Sequence, residues 1–149
     1  MTISAQDQGC PFCAIAQQRA PAREVLRTED VVAFLPDVPA VLGHTLLIPR
    51  QHARDIWDVD VRLGQALTNA TRQVVAAVSA ATGTRELNII QSNGAAAGQS
   101  VFHLHVHVVP RRHGDRMPHL WPPDANWSPG ALDVIAGELR SAFPGTEDS

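Results

Sequence analysis

The chain has 149 residues, 44% of them hydrophobic and 18% charged, with a formal net charge of −3. That balance belongs to a globular domain large enough to bury its own core. Its 12 basic residues are all arginine, which excludes a Walker-type phosphate loop and leaves no basic field for a nucleic acid polymer.

No apolar run reaches the roughly 18 to 20 residues of a membrane helix. The opening "MTISAQDQGC" lacks the basic start and apolar stretch of a signal peptide, so a cytoplasmic protein with no membrane partner is expected. The two cysteines, Cys10 and Cys13, stand as C-x2-C, a spacing that favours metal or redox chemistry over a structural disulfide.

In chain order, "PFCAIAQQRA" suits a short helix stopped by Pro21, and "AREVLRTEDVVAFLP" reads as a hairpin turning at Thr28, Glu29 and Asp30. "GHTLLIPR" is a third strand, opened by Gly43 and closed by Pro49. Leu63, Leu67, Ala70, Val74, Ala77, Val78 and Ala81 recur at helical spacing over about Val61 to Ala81, with Asp58 or Asp60 to cap the start and Gly83 the end. "ELNIIQS" gives a fourth strand, "NGAAAGQ" a glycine-punctuated loop and "SVFHLHVHVVP" a fifth strand. An irregular segment rich in Pro, Gly and Trp follows, and then Ser128 and Pro129 start a helix with Leu132, Ile135, Ala136 and Leu139 on its apolar face. The expected class is α+β, a five-stranded, mainly antiparallel sheet with two main helices.

The stretch "HLHVHVV" carries three of the 7 histidines. On a strand, His103, His105 and His107 project from one side, and Phe102, Leu104, Val106 and Val108 from the other. Neighbouring histidines then lie roughly 6.6 Å apart and the outer two roughly 13 Å, so two adjacent ones can share a metal and all three cannot. A lone strand histidine is ordinarily packed or solvated. Three near-neutral titrating groups on one face point instead to a site where labour is divided.

With His44 and His52 in "GHTLLIPRQH" and with "GAAAGQS" ahead of the histidines, the sequence resembles the histidine triad family. That family's signature, His-x-His-x-His and two apolar residues with x apolar, is met at every position of "HLHVHVV". The likeness covers most of Cys10 to Asp115. It implies a single domain over 1–149, with the motif core at about 10–115 and a C-terminal loop and helix over 116–143. It also implies hydrolysis or nucleotidyl transfer at the α-phosphate of a nucleoside phosphoanhydride or phosphoramidate, such as a dinucleoside polyphosphate or an adenylate conjugate, through a covalent nucleotidyl-histidine on His105, releasing a nucleoside monophosphate without a catalytic metal. In that scheme His44 buttresses the histidine row, His107 lies against the phosphate oxygens, and Gln99 and Ser100 add neutral donors.

On the binding side the resemblance implies a purine nucleotide near Ser92, Asn93 and Gly94, where Ser92 replaces the asparagine of many relatives. The family's ribose carboxylate position falls on Pro36, with Asp37 one residue late. Some bacterial members hold structural zinc through residues that match Cys10, Cys13, His52 and His103, and members usually pair as homodimers. A glutaredoxin-like reading of "CPFC" lacks a preceding strand pattern, and a zinc deaminase would need motifs absent here. The competing class is a nucleotide-binding regulatory protein with negligible turnover. Trp121 and Trp127 either stack on a base, line a subunit contact or cover the core. Arg50, Arg54, Arg111 and Arg112 either meet distal phosphates or are solvated, and His113 and His119 are expected in exposed loops.

Overall fold

A computed structural model describes residues 8–145. They form two compact units, one ending at Arg116 and one beginning at Met117. In chain order the first holds helix α1 (Pro11–Ala16), strands β1 (Arg23–Arg27), β2 (Val31–Leu35) and β3 (Thr45–Pro49), helix α2 (Val61–Thr82), and strands β4 (Leu87–Gln91) and β5 (Val106–Pro110). The second holds helix α3 (Pro129–Ala142), begun by Ser128, whose hydroxyl accepts from the Ala131 N–H at 3.2 Å. Among the described residues no helix is long and apolar enough to cross a membrane.

The five strands make one antiparallel sheet in the order β1-β2-β3-β5-β4. Both faces of its centre are covered, which explains why β2 reads as an unbroken apolar run rather than an alternating one. Val31, Ala33, Leu47, Val106 and Val108 point toward Leu67, Ala70, Val74 and Val78 of α2. Val32, Phe34, Leu46 and Ile48 point the other way, toward Ala16, with Phe12 and Ile15 of α1 packed against them. The predicted long helix thus ends within one residue of its expected bounds. Asp60 accepts from the Leu63 N–H at 2.8 Å at its start, and Gly83 closes it with φ 73°.

Cross-strand partners share a face, and Phe34, Leu46, His107 and Ile90 form one continuous row. His107 therefore emerges on the α1 side of the sheet. Gly43, just ahead of β3, has φ 95°, and a Cβ there would meet the Thr82 side chain at 2.7 Å. No larger residue fits between α2 and the backbone that leads through His44 into β3.

Candidate functional site

The expected fifth strand begins later than its pattern suggests. Residues 101–105 are irregular and only Val106–Pro110 is strand, so His107 alone stands on the sheet. His103 and His105 precede it in a bend. There the Leu104 N–H, with no strand partner to bond, donates to the Ala53 carbonyl at 2.7 Å. The single-face row of three histidines becomes two arrangements, and Phe102, expected on the apolar face, is partly exposed.

His44 and His107 form the first arrangement. The Ala40 N–H donates to His44 Nδ1 at 3.1 Å, which places the His44 proton on Nε2. His44 Nε2 lies 2.9 Å from His107 Nδ1, so His44 donates and His107 accepts. The His107 proton is left on Nε2, with no partner among the described residues. Burial and the neighbouring His105 and His44 rings push the His107 pKa down to about 4, and burial, then His105, lowers that of His44. Both rings are neutral near pH 7.

His105 is fixed separately. Its Nδ1 lies 2.8 Å from the backbone carbonyl of His103, an acceptor only, so Nδ1 carries the proton and Nε2 keeps a lone pair. The ring is 7% exposed. No buried side-chain nitrogen or oxygen among the described residues lacks a partner, and Nε2 has none, so this lone pair reaches solvent. Phe12 packs edge-on against the His105 ring at 5.2 Å between centroids, and against His103 at 5.9 Å. Sequence reasoning missed Phe12, although its place between the two cysteines was a usable signal. The Ala40, Ala53 and Pro49 backbone groups leave no sequence signal at all.

His103 anchors the second arrangement and is fully buried. Its Nε2 donates to the Pro49 carbonyl at 2.9 Å, leaving Nδ1 unprotonated. Around that Nδ1 stand Cys10 Sγ at 3.4 Å, Cys13 Sγ at 3.4 Å and His52 Nδ1 at 3.2 Å, while Cys13 Sγ lies 3.3 Å from His52 Nδ1. All four atoms lie within 4.8 Å of one another, and the two cysteines are not joined by a disulfide. The cluster is positioned to bind a metal ion. It joins α1 to the segment that carries His105.

The remaining expected residues are placed as follows. Gln99 is buried. Its Oε1 accepts from the Gly94 N–H at 2.7 Å, and its Nε2 donates to the Arg54 and Val101 carbonyls at 2.8 and 3.1 Å, so its amide braces the loop instead of offering a free donor. Ser100 beside it is exposed, and its hydroxyl has no partner among the described residues. Asn93 accepts from the Ile56 N–H at 2.8 Å and exchanges hydrogen bonds with Gln91, holding the Ser92–Gly94 turn against the 56–58 turn. The Asp37 side chain is 98% exposed and pairs with Arg23 at 3.4 Å. A cleft of about 740 Å³ runs past Cys10, His52, Arg54, Ser100 and Phe102, and His44, His105 and His107 are not among its walls. It belongs to the metal-cluster side of the site.

The comparisons agree with this architecture. A solved member of the HIT family from Bacillus subtilis superposes with a TM-score of 0.85 at 31% identity, over 93% of this chain and 99% of that one. A "ZN-bound histidine triad family protein" from Mycobacterium smegmatis matches at 33% identity with a TM-score of 0.70, over 92% and 99%. The Arabidopsis thaliana protein "Adenylylsulfatase HINT3" is 31% identical over 106 residues, 71% of this chain and 54% of its own length. The HIT domain profile matches residues 17–114, from the end of α1 through β5 and both arms of the histidine arrangement. Fold, motif and profile meet on the same residues, and the chain belongs to the HIT domain family.

Proposed function

We propose that the protein hydrolyses or transfers nucleotides at the α-phosphate through a covalent nucleotidyl-histidine at His105, with a purine nucleotide as substrate and a nucleoside monophosphate as product. The observation that carries this reading is the His105 ring, tied at Nδ1 to a backbone carbonyl with its Nε2 lone pair open to solvent. An imidazole so fixed presents the lone pair that a nucleophile needs. His107, kept neutral by burial, carries its proton on Nε2 and offers it to a phosphate oxygen, and His44 holds that tautomer. Ser100 adds a free hydroxyl and Gln99 keeps the loop in place, while Ser92, Asn93, Gly94 and Asp37 are assigned to the nucleoside, Asp37 to its ribose, on the family resemblance.

The Cys10, Cys13, His52 and His103 cluster fits zinc. A tetrahedral ion with Zn–S of about 2.3 Å and Zn–N of 2.0–2.1 Å separates nitrogens by about 3.3 Å and nitrogen from sulfur by about 3.6 Å. The corresponding distances here are 3.2 and 3.3–3.4 Å. Cys10, Cys13, His52 and His103 would hold zinc as a structural staple, which would leave the α-phosphate chemistry to His44, His105 and His107. Two cysteines without a disulfide accord with a reducing cytoplasm. A homodimer belongs to the same reading, supported by β4, an edge strand that exposes Ile89.

Turnover of an amine-linked adenylate by the wild type and by His105→Ala tests the reaction. Loss of nucleoside monophosphate release in the variant, with nucleotide binding kept, is expected. Equal turnover by both overturns the mechanism. If neither turns over while both bind nucleotide, the chain is a binding module instead.

A further inference from the structure

Four arginines near the histidines could meet phosphates, and the structure separates them. Arg111 is spent on Asp115, at 2.8 and 3.0 Å, and on Asn88 at 2.7 Å. Arg112 donates to the Thr82 carbonyl, and Arg50 to the carbonyls of Thr28 and Glu29 at 3.2 and 3.1 Å. Arg54 differs from all three. Its guanidinium has no hydrogen-bond acceptor among the described residues, the nearest carboxylate being Asp55 at 3.9 Å, and it lies over the Phe102 ring at 4.4 Å. A guanidinium held over an aromatic face by its ring contact can still present N–H groups to a planar or tetrahedral oxyanion.

The backbone beneath Arg54 is held on three sides. The Ala53 carbonyl accepts from the Leu104 N–H, the Arg54 carbonyl from Gln99, and Asp58 accepts from the Arg54 N–H at 2.9 Å. Arg54 and His105 each stand one residue from the Leu104–Ala53 hydrogen bond, so their Cα atoms lie within roughly 14 Å. Ser100 and Arg54 share the wall of the same cleft. The two nearby carboxylates are occupied by backbone donors, Asp58 by Arg54 and Asp55 by the Trp57 N–H at 3.1 Å.

We propose that Arg54, stacked on Phe102 and reached past Ser100, is a subsite for an anionic leaving group, making oxyanion-linked nucleotides the preferred substrate class. This rests on the reaction proposed above. In the first step the His105 Nε2 lone pair forms a bond to the α-phosphorus. The bond from phosphorus to the bridging oxygen breaks, and its electron pair stays on the departing phosphate or sulfate, whose charge Arg54 meets. Water then bonds to phosphorus and loses a proton to solvent, while the P–N electron pair returns to Nε2.

The test compares kcat/KM for adenosine diphosphate, for an adenylate linked to sulfate and for an amine-linked adenylate, in the wild type, Arg54→Met, Arg54→Lys and Phe102→Leu. The Arg54 side chain is 62% exposed and Phe102 is 38% exposed, so the substitutions leave the buried core untouched. Removing a charge-assisted hydrogen bond lowers the ratio of oxyanion-linked to amine-linked substrates by about tenfold or more in Arg54→Met. Arg54→Lys, which keeps the charge and loses the fork, and Phe102→Leu, which loses the stacking face, give smaller falls. A fall with phosphate and sulfate alike marks a site for charge, and a fall with one of them assigns the subsite to that leaving group. An unmoved ratio, or equal losses on all three substrates, overturns the proposal. His105→Ala retaining turnover instead overturns the reaction beneath it, and the subsite with it.

Discussion

Lowering the pH loads a proton onto His107, and the structure sets the cost. Burial, with the His105 and His44 rings, holds its pKa near 4 where an ordinary histidine sits at 6.5. That gap corresponds to about 3 kcal/mol, discounted to about 2 because the ring is only half-buried and water screens it. Above pH 6.5 the ring is neutral in both folded and unfolded chains and the stability is fully present. Between 6.5 and 4 the unfolded chain binds the proton and the folded one resists it, so stability falls as pH falls; below 4 this contribution is flat. Urea unfolding at pH 7.5 and 4.5, for the wild type and for His107→Gln, isolates the effect, because the other titrating groups contribute to both proteins. The wild type is expected to lose about 2 kcal/mol more than the variant across this interval, and its His107 ring resonance to titrate near 4. Equal losses in both proteins, or a ring titrating near 6.5, refute the reasoning.

Further outcomes follow from the same geometry. Purified protein carries one zinc per chain, and Cys13→Ser, which removes a buried ligand, lowers both metal content and thermal midpoint in a metal assay and a melt. His44→Ala frees His107 to place its proton on either nitrogen and lowers kcat about tenfold, with a smaller change in KM, as read from steady-state kinetics. Asp37→Ala breaks only an exposed ion pair, so unfolding stability moves by less than about 0.5 kcal/mol while KM for adenylates rises. Leu47→Ala empties the centre of the core and costs about 3 kcal/mol of unfolding free energy.

Much of the fold was legible because its signals are local. The periodicity from Leu63 to Ala81, bounded by Asp60 and Gly83, marks α2, and the β-branched runs around Thr28 to Asp30 mark the first hairpin. The fifth strand starts six residues later than its alternation predicts, since alternation in "SVFHLH" does not by itself fix pairing: His103, Leu104 and His105 are buried in succession without a strand partner. What diverts it is non-local: Ala53 takes the Leu104 N–H, and the cysteines, 90 or more residues away, gather His103. The four metal ligands were readable only through the family resemblance. The tautomers were not readable, because backbone carbonyls and N–H groups at Pro49, His103 and Ala40 set them. Nor could the sequence separate Arg54 from Arg50, Arg111 and Arg112, which differ only in what their guanidinium groups touch.

The most direct measurement mixes the protein with a slowly hydrolysed adenylate, quenches in alkali to preserve phosphoramidates, and maps the adduct by peptide mass spectrometry. A single nucleotidyl group on His105, absent from His105→Ala and still formed after His103→Asn if the segment remains folded, is the predicted result. An adduct on His44 or His107, or turnover with no adduct at any time point, contradicts the account.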